Sequence, residues 1–265
     1  MNIRGRLGLP LVTLFSAMAV FGPWVAPSSP QAIDLAHVLA PPDAHHLLGT
    51  ADNGVDVLSV LLYGARLAGT VSVATVAISL VVGTLLGGGA AFVGGRTGAV
   101  AARVTDAAQS FPSVLVNMAV LALVARPGVL HLIAALSVTG WVGYARVARA
   151  EVLRLREREF VTAARAMGAM PGRVFFRHVL PNASGPLVVQ ATFGLGAVVL
   201  AEASLSFLGL GPGAAASWGA LMDQGTAHLL QAPRLAVVAG VAITMTVLGF
   251  NLTGDWLRDR LDPRG

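Results

Sequence analysis

The sequence predicts an all-α membrane protein with about six transmembrane helices. Three observations carry that expectation. Hydrophobic residues make up 55% of the chain and charged residues only 12%, with a mean hydropathy of +0.73. A soluble domain carries roughly 25% charged residues because its surface must be solvated. The apolar residues are gathered into long blocks, and the arginines sit in the short polar segments between them.

The first block runs over 7–26 behind Arg4 and Arg6 and is read as a retained helix, not a cleaved leader. Residues 27–66 are rich in Pro, Asp and His and read as an exposed loop ending in a short amphipathic segment, 55–63. Residues 67–93 carry no charge and are long enough to span with tilt. Gly83, Gly87, Gly88 and Gly89 within them suit close helix packing in lipid. No Gly-Lys-Ser/Thr follows, so they do not form a phosphate loop. Four further blocks cover 104–124 (with Pro112 inside), 129–147, 185–205 and 235–252. The expected division is 1–66, an N-terminal helix with its loop, and 67–265, a core carrying a polar stretch at about 149–182.

Orientation follows from arginine, since lysine is absent. With the N-terminus inside, inner segments hold Arg4, Arg6, Arg96, Arg103, Arg146, Arg149, Arg154, Arg156, Arg158, Arg165, Arg173, Arg177, Arg258, Arg260 and Arg264. Outer segments hold only Arg66, Arg126 and Arg234. Both termini and the 149–178 stretch are therefore expected on the cytoplasmic side. The same distribution accounts for the basic charge without nucleic acid. There is no cysteine, so disulfides and thiolate chemistry are excluded.

The cytoplasmic stretch holds good helix formers over 151–167, with neither Gly nor Pro. Gly168 is placed to end a helix in the left-handed conformation, and Pro171 to begin the next. Two short helices with a sharp reversal are expected. Ala163, Ala164 and Ala166 would give a smooth face for another protein, with flanking Arg and Glu to orient it.

Thr162-Ala163-Ala164, then Gly168, then Leu180-Pro181 resembles the "EAA" loop of bacterial ABC importer permeases, with the family's spacing kept. Thr162 stands where that loop has Glu, and His178 where it has Ile; Glu159 lies one turn earlier. The resemblance extends along nearly the whole chain and is to the C-type permeases for dipeptides, oligopeptides and nickel. In the first loop His46, Gly49, Thr50, Gly54, Asp56 and Ser59 follow that subfamily, while Ala51, Val55 and Val60 depart from it. Further matches are Leu62-Tyr63-Gly64-Ala65-Arg66, Phe111-Pro112-Ser113, Gly140-Trp141, Gly143-Tyr144-Ala145-Arg146, Glu202-Ala203-Ser204-Leu205-Ser206-Phe207, Ser217-Trp218-Gly219 and Gly254-Asp255.

The resemblance implies a type I ABC importer permease fold in the bacterial inner membrane. It implies a coupling helix that docks on an ATPase, formed by Glu159, Phe160, Thr162, Ala163, Ala164, Arg165 and Gly168, with Leu180 and Pro181 after it. The implied partners are a second, homologous permease, two ATPase subunits that bind ATP and Mg, and an extracytoplasmic substrate-binding protein. No cofactor on this chain is implied. Cargo is expected to be dipeptides or short peptides, with nickel, glutathione or another solute as the alternative.

Polar residues inside apolar blocks are costly, about 2.5–3.5 kcal/mol for a charge on insertion scales. Asp106 is expected to pair with Arg103 or with a partner subunit, and Asn117 and Gln190 to line the pathway or join helices. Glu202, with Phe207 and Trp218, is a candidate for an outer gate or a binding-protein contact, against local capping. His37, His45 and His46 share the outer loop without the i, i+4 spacing of a helical metal site, so no metal is expected there. Two other classes fit poorly. An intramembrane enzyme would show a nucleophile and base or a His–carboxylate cluster at depth. An ion-driven transporter would show inverted repeats and broken midplane helices.

Overall fold

The computed structural model describes residues 3–213 and 215–261; Arg264, counted above among the inner arginines, lies outside them. Helix α1 covers Ile3–Val25. Helix α2 covers Val57–Val93 and widens to a π turn over Thr84–Gly89. Helices α3, Gly95–Gln109, and α4, Ser113–Ala122, follow. Then come α5, Val129–Leu155, the short α6, Glu159–Ala166, and α7, Pro171–Phe207, with a second π turn at Phe175–Val179. Helices α8, Trp218–Ala227, and α9, Arg234–Leu261, complete the chain. Among the described residues α1, α2, α5, α7 and α9 are long and apolar enough to cross a membrane.

Two boundaries differ from expectation. Residues 57–63 of the expected 55–63 segment are the start of α2 and not a separate amphipathic piece, so the division at residue 66 falls inside a helix. Asp56 caps that helix, accepting from Ser59 N and Oγ at 2.8 Å each, and Val57, Val60, Leu61 and Ala65 bury one continuous stripe. The block at 104–124 is two helices rather than one. Pro112 lacks an N–H and disfavours helix at Phe111, so the chain breaks there.

Helix directions follow from who meets whom. Gly5 lies against Trp256 and Leu11 against Gly249, so α1 and α9 are antiparallel and begin and end at the same end of the bundle. Phe15 packs against Gly69 and Leu62 against Gly22, so α1 and α2 are also antiparallel. Gly83 meets Trp141 and Tyr144, and Gly88 meets Ala148 and Val152, so α2 and α5 run in the same direction. Two parallel helices in sequence require a return between them. The chain climbs it along α5, through Arg149 to Gly98 (2.7 Å), Arg146 to Gln109 (2.6 Å) and Thr139 to Asn117 (3.0 Å). Asn117 is therefore a buried joint between α4 and α5. Arg66, Arg126 and Arg234 fall at the far end of the bundle, and the hairpin containing α6 at the basic end with the start of α1 and the end of α9.

Helices α2 and α5 approach at glycine. A Cβ on Gly87 would lie 2.1 Å from the Ala145 carbonyl oxygen. Small residues permit that approach, and dispersion across it replaces the water-driven association that lipid cannot supply. Gly87→Val is expected to force the pair apart and to cost about 1–3 kcal/mol, read as a lower thermal midpoint of the detergent-solubilised chain. Gly89→Ala, where nothing lies within 4 Å of the added carbon, should leave the midpoint unchanged or raised.

Candidate functional site

The α5–α6–α7 hairpin projects from the basic end, and its reversal is built as the residues demand. Helix α6 ends in a Schellman arrangement: Gly168 N donates to Arg165 O (2.9 Å) and Ala169 N to Ala164 O (3.1 Å). Gly168 holds φ +82°, and a Cβ there would meet no atom within 4 Å. The requirement for glycine is therefore conformational, not one of space. Pro171 opens α7 behind Met170 in an extended conformation. Farther on, Pro181 removes an N–H that the helix needs, and the π turn of Phe175–Val179 sits immediately before it.

The inner face of α6 belongs to a small apolar core. Val161 and Ala164 pack with Ala91 of α2, Val152 and Leu155 of α5, and Val174, Phe175, Val179 and Ala183 of α7. Burying a side chain such as Val161 contributes about 1.5–3 kcal/mol. Arginines fasten the same hairpin to α2: Arg156 Nη1 donates to Ala91 O at 3.1 Å, and the Arg165 guanidinium lies 5.3 Å from the centre of the Phe92 ring. Phe92 and Phe175 are 5.4 Å apart, ring to ring. Outward, Phe160, Thr162, Ala163, Arg165, Ala166, Met167 and Met170 are exposed.

A second constellation lies at the far end. Glu202 is buried, and its Oε1 accepts from Ser206 Oγ (2.7 Å) and Ser217 Oγ (2.9 Å). Ser217 is the N-cap of α8, its Oγ accepting from Gly219 N at 3.1 Å. Beside it Trp218 is wholly buried against Phe15 and Gly64, and its indole N–H donates to Leu61 O at 2.9 Å. Phe207 is half-buried.

Residues 79–264 match the family described as binding-protein-dependent transport system inner membrane component. The chain belongs to that family. Residues 2–42 match the N-terminal transmembrane domain of oligopeptide transport permease C. The permease is 37% identical to a dipeptide transport system permease protein of Alkalihalophilus pseudofirmus over 99% of this chain and 86% of that one. It is 37% identical to an oligopeptide transport system permease protein of Bacillus subtilis over the same shares. A nickel transport system permease protein of Escherichia coli is 37% identical over 97% of this chain and 93% of its own. The chain is thus a multi-pass permease subunit of an ABC importer and a transport component, not a catalyst.

In this permease the predicted hairpin residues come together, with one correction. Ala164 does not share a presented surface with Ala163 and Ala166. It faces inward, because α6 buries the i, i+3 pair Val161 and Ala164. Leu180 and Pro181 lie within α7, past the reversal. Exposed Met167, Met170 and Phe176 were missed by sequence reasoning, although flexible methionines at a reversal are a recognisable signal for an adaptable surface.

Glu202 and Trp218 are also corrected as direct contacts for a binding protein. Both are buried, and their polar atoms bond within the chain: Glu202 accepts from two serines, one of them the N-cap of α8, and Trp218 donates to Leu61 O. The described ion pairs do not join Asp106 to Arg103; Asp106 lines a hollow with Arg146 and Arg149. Gln190 lines a cavity of about 750 Å³ at the basic end with Arg154, Arg158, Asn182, Ser184 and Arg258.

The loop between α1 and α2 brings Asp34 and His37 together at 2.8 Å and His46 and Asp56 at 3.1 Å. Their hydrogen bond lowers the Asp34 carboxyl and raises the His37 imidazole from their ordinary values. The backbone N–H of His46, and then that of His45, lowers Asp43 in the same way.

Ser217→Ala removes both the α8 cap and a Glu202 partner, so a destabilisation of about 1–3 kcal/mol is expected. Thermal unfolding in detergent measures it, and Ser217→Thr should recover most of the loss.

Proposed function

We propose that this permease imports dipeptides or short peptides, with α6 as the coupling helix that carries force from an ATPase. The observation that supports it is the fusion of α6 to α2, α5 and α7 through one apolar core, with Phe160, Met167 and Met170 left exposed. Moving a bundle from 1:99 to 99:1 between two states takes roughly 5.5 kcal/mol of differential binding. ATP and Mg on two partner ATPases would supply it, and a stiff hairpin would transmit it. Glu159, Phe160, Thr162, Ala163 and Arg165 would meet the ATPase, Ala164 and Gly168 would hold the shape, and Leu180 and Pro181 would continue the lever into α7.

The bundle would lie in the bacterial inner membrane, with six crossings if α3 and α4 together make the third. Both termini and α6 would then be cytoplasmic, a reading the arginine distribution supports. Helix α1 and the loop to Asp56 would be the N-terminal segment and the rest the permease core, packed together in one bundle. A second, homologous permease would complete the pathway in the surrounding lipid. An extracytoplasmic binding protein would deliver the solute and largely set its identity. The relative named for nickel transport makes nickel the alternative cargo.

Reconstitution tests the reading. Proteoliposomes holding all subunits and the binding protein should take up dipeptide only with ATP. Gly168→Val, strained at φ +82°, should lower uptake at least about tenfold and weaken ATPase co-purification, with membrane insertion intact. Uptake driven by a proton gradient without the ATPases would overturn the assignment. Single cysteines placed at His45 and Arg156 should label from opposite sides, His45→Cys from outside and Arg156→Cys only after the inner face is opened. The reverse pattern would overturn the orientation.

A further inference from the structure

The loop between α1 and α2 holds three side chains that the transport reading leaves unused. Asp34, His37 and His46 each offer one ligand atom, and those atoms lie within 4.8 Å of one another. They arrive from separate turns. Asp34 and His37 bracket the 3₁₀ turn Leu35–His37, and His46 follows a turn pinned by Asp43, whose Oδ1 accepts from His46 N at 2.6 Å.

Their backbones are anchored one by one. Asp34 N donates to Asn53 O at 2.9 Å, and the His37 carbonyl accepts from Thr50 Oγ1. Arg234 Nη2, at the start of α9, donates to Leu39 O (2.9 Å), Ala40 O (2.7 Å) and Thr50 O (3.0 Å). The cluster therefore rides on a fastened platform, and ordering it costs little further chain entropy.

The ring of His46 is also oriented. Its Nδ1 faces the buried carboxylate of Asp56 at 3.1 Å, and that carboxylate already caps α2 through Ser59. A carboxylate behind a histidine fixes its tautomer and ring orientation, the usual support of a metal-ligating imidazole. Nε2 of His46 is left outside that bond. The His37 and His46 rings have centroids 6.0 Å apart.

We propose that Asp34, His37 and His46 bind one divalent transition-metal cation of borderline softness, such as zinc or nickel. Two imidazoles and one carboxylate select such an ion over calcium or magnesium, which take oxygen ligands. Three protein ligands leave a fourth position for water. Bonds of about 2.0–2.2 Å place ligand atoms roughly 3.3 Å apart, so small side-chain rotations of these solvent-accessible residues close the site. The ion displaces the proton between Asp34 and His37 and ties the 3₁₀ turn to the cap of α2. The site does not depend on which solute is carried.

The test uses the full chain in lipid nanodiscs, purified through a tag without histidine. Zn²⁺ is titrated against a chromophoric chelator, and Cu²⁺ is examined by electron paramagnetic resonance. One ion per chain is expected, weakened about tenfold or more by His37→Ala and by Asp34→Asn and unchanged by His45→Ala on the same loop. The copper spectrum should show two coordinated nitrogens, and one in His37→Ala. Both substituted residues are solvent-accessible, and circular dichroism and the thermal midpoint of each variant confirm that it is folded. Equal Zn²⁺ affinity in wild type and His37→Ala, equal loss in His45→Ala, or a wild-type copper spectrum without two nitrogens would overturn the site.

Discussion

Val161 and Ala164 of α6 share one small apolar core with Ala91, Val152, Leu155, Phe175 and Val179, and any force reaching the bundle through α6 must cross it. The core joins the ends of three long helices, α2, α5 and α7, to an eight-residue helix. A helix so short is unstable alone, so its order is lent by those contacts. Close packing makes such a core a poor spring and a good linkage. Arg156 and Arg165 add directional ties to Ala91 and Phe92, which resist sliding as the apolar contacts resist separation. The division of labour on α6 is physical: one face secures the helix to its own chain, and the other stays free for a partner.

The far end is organised by polar contacts enclosed among apolar ones. Glu202 collects two serine hydroxyls, and one of them caps α8. Trp218 fills the space over Gly64 and meets Phe15 edge to face, 6.0 Å between centroids. This links α1, α2, α7 and α8, so α1 is an integral member of the bundle. A buried carboxylate with hydrogen-bond donors is tolerable where an unsupported one is not. The loop between α1 and α2 is fastened from the same direction by Arg234.

Much of this was legible in the sequence because it rests on local rules. Gly168 and Pro171 announce a reversal through their backbone preferences, and the arginine distribution announces two ends. Which alanine of the 163, 164 and 166 set turns inward was not legible. Alanine is small enough for either face, and the phase of so short a helix is set by the packing of Val161. The break in the third block was visible as Pro112, but the hydropathy of the residues around it concealed its effect. Glu202 and Ser206 stand one helical turn apart, whereas Ser217 joins them only through the fold. The same holds for His46, nine residues beyond His37 in the chain and beside it in space.

The parallel course of α2 and α5 obliges a return through α3 and α4, and Pro112 interrupts that return at residues 110–112. Hydrocarbon offers no hydrogen bonds to backbone groups left over at such a gap. Ser110, Phe111 and Pro112 are exposed there, so any of their backbone groups without a partner favours a watery or protein surrounding over acyl chains. One imino acid in the return thus limits which surroundings that flank of the bundle tolerates.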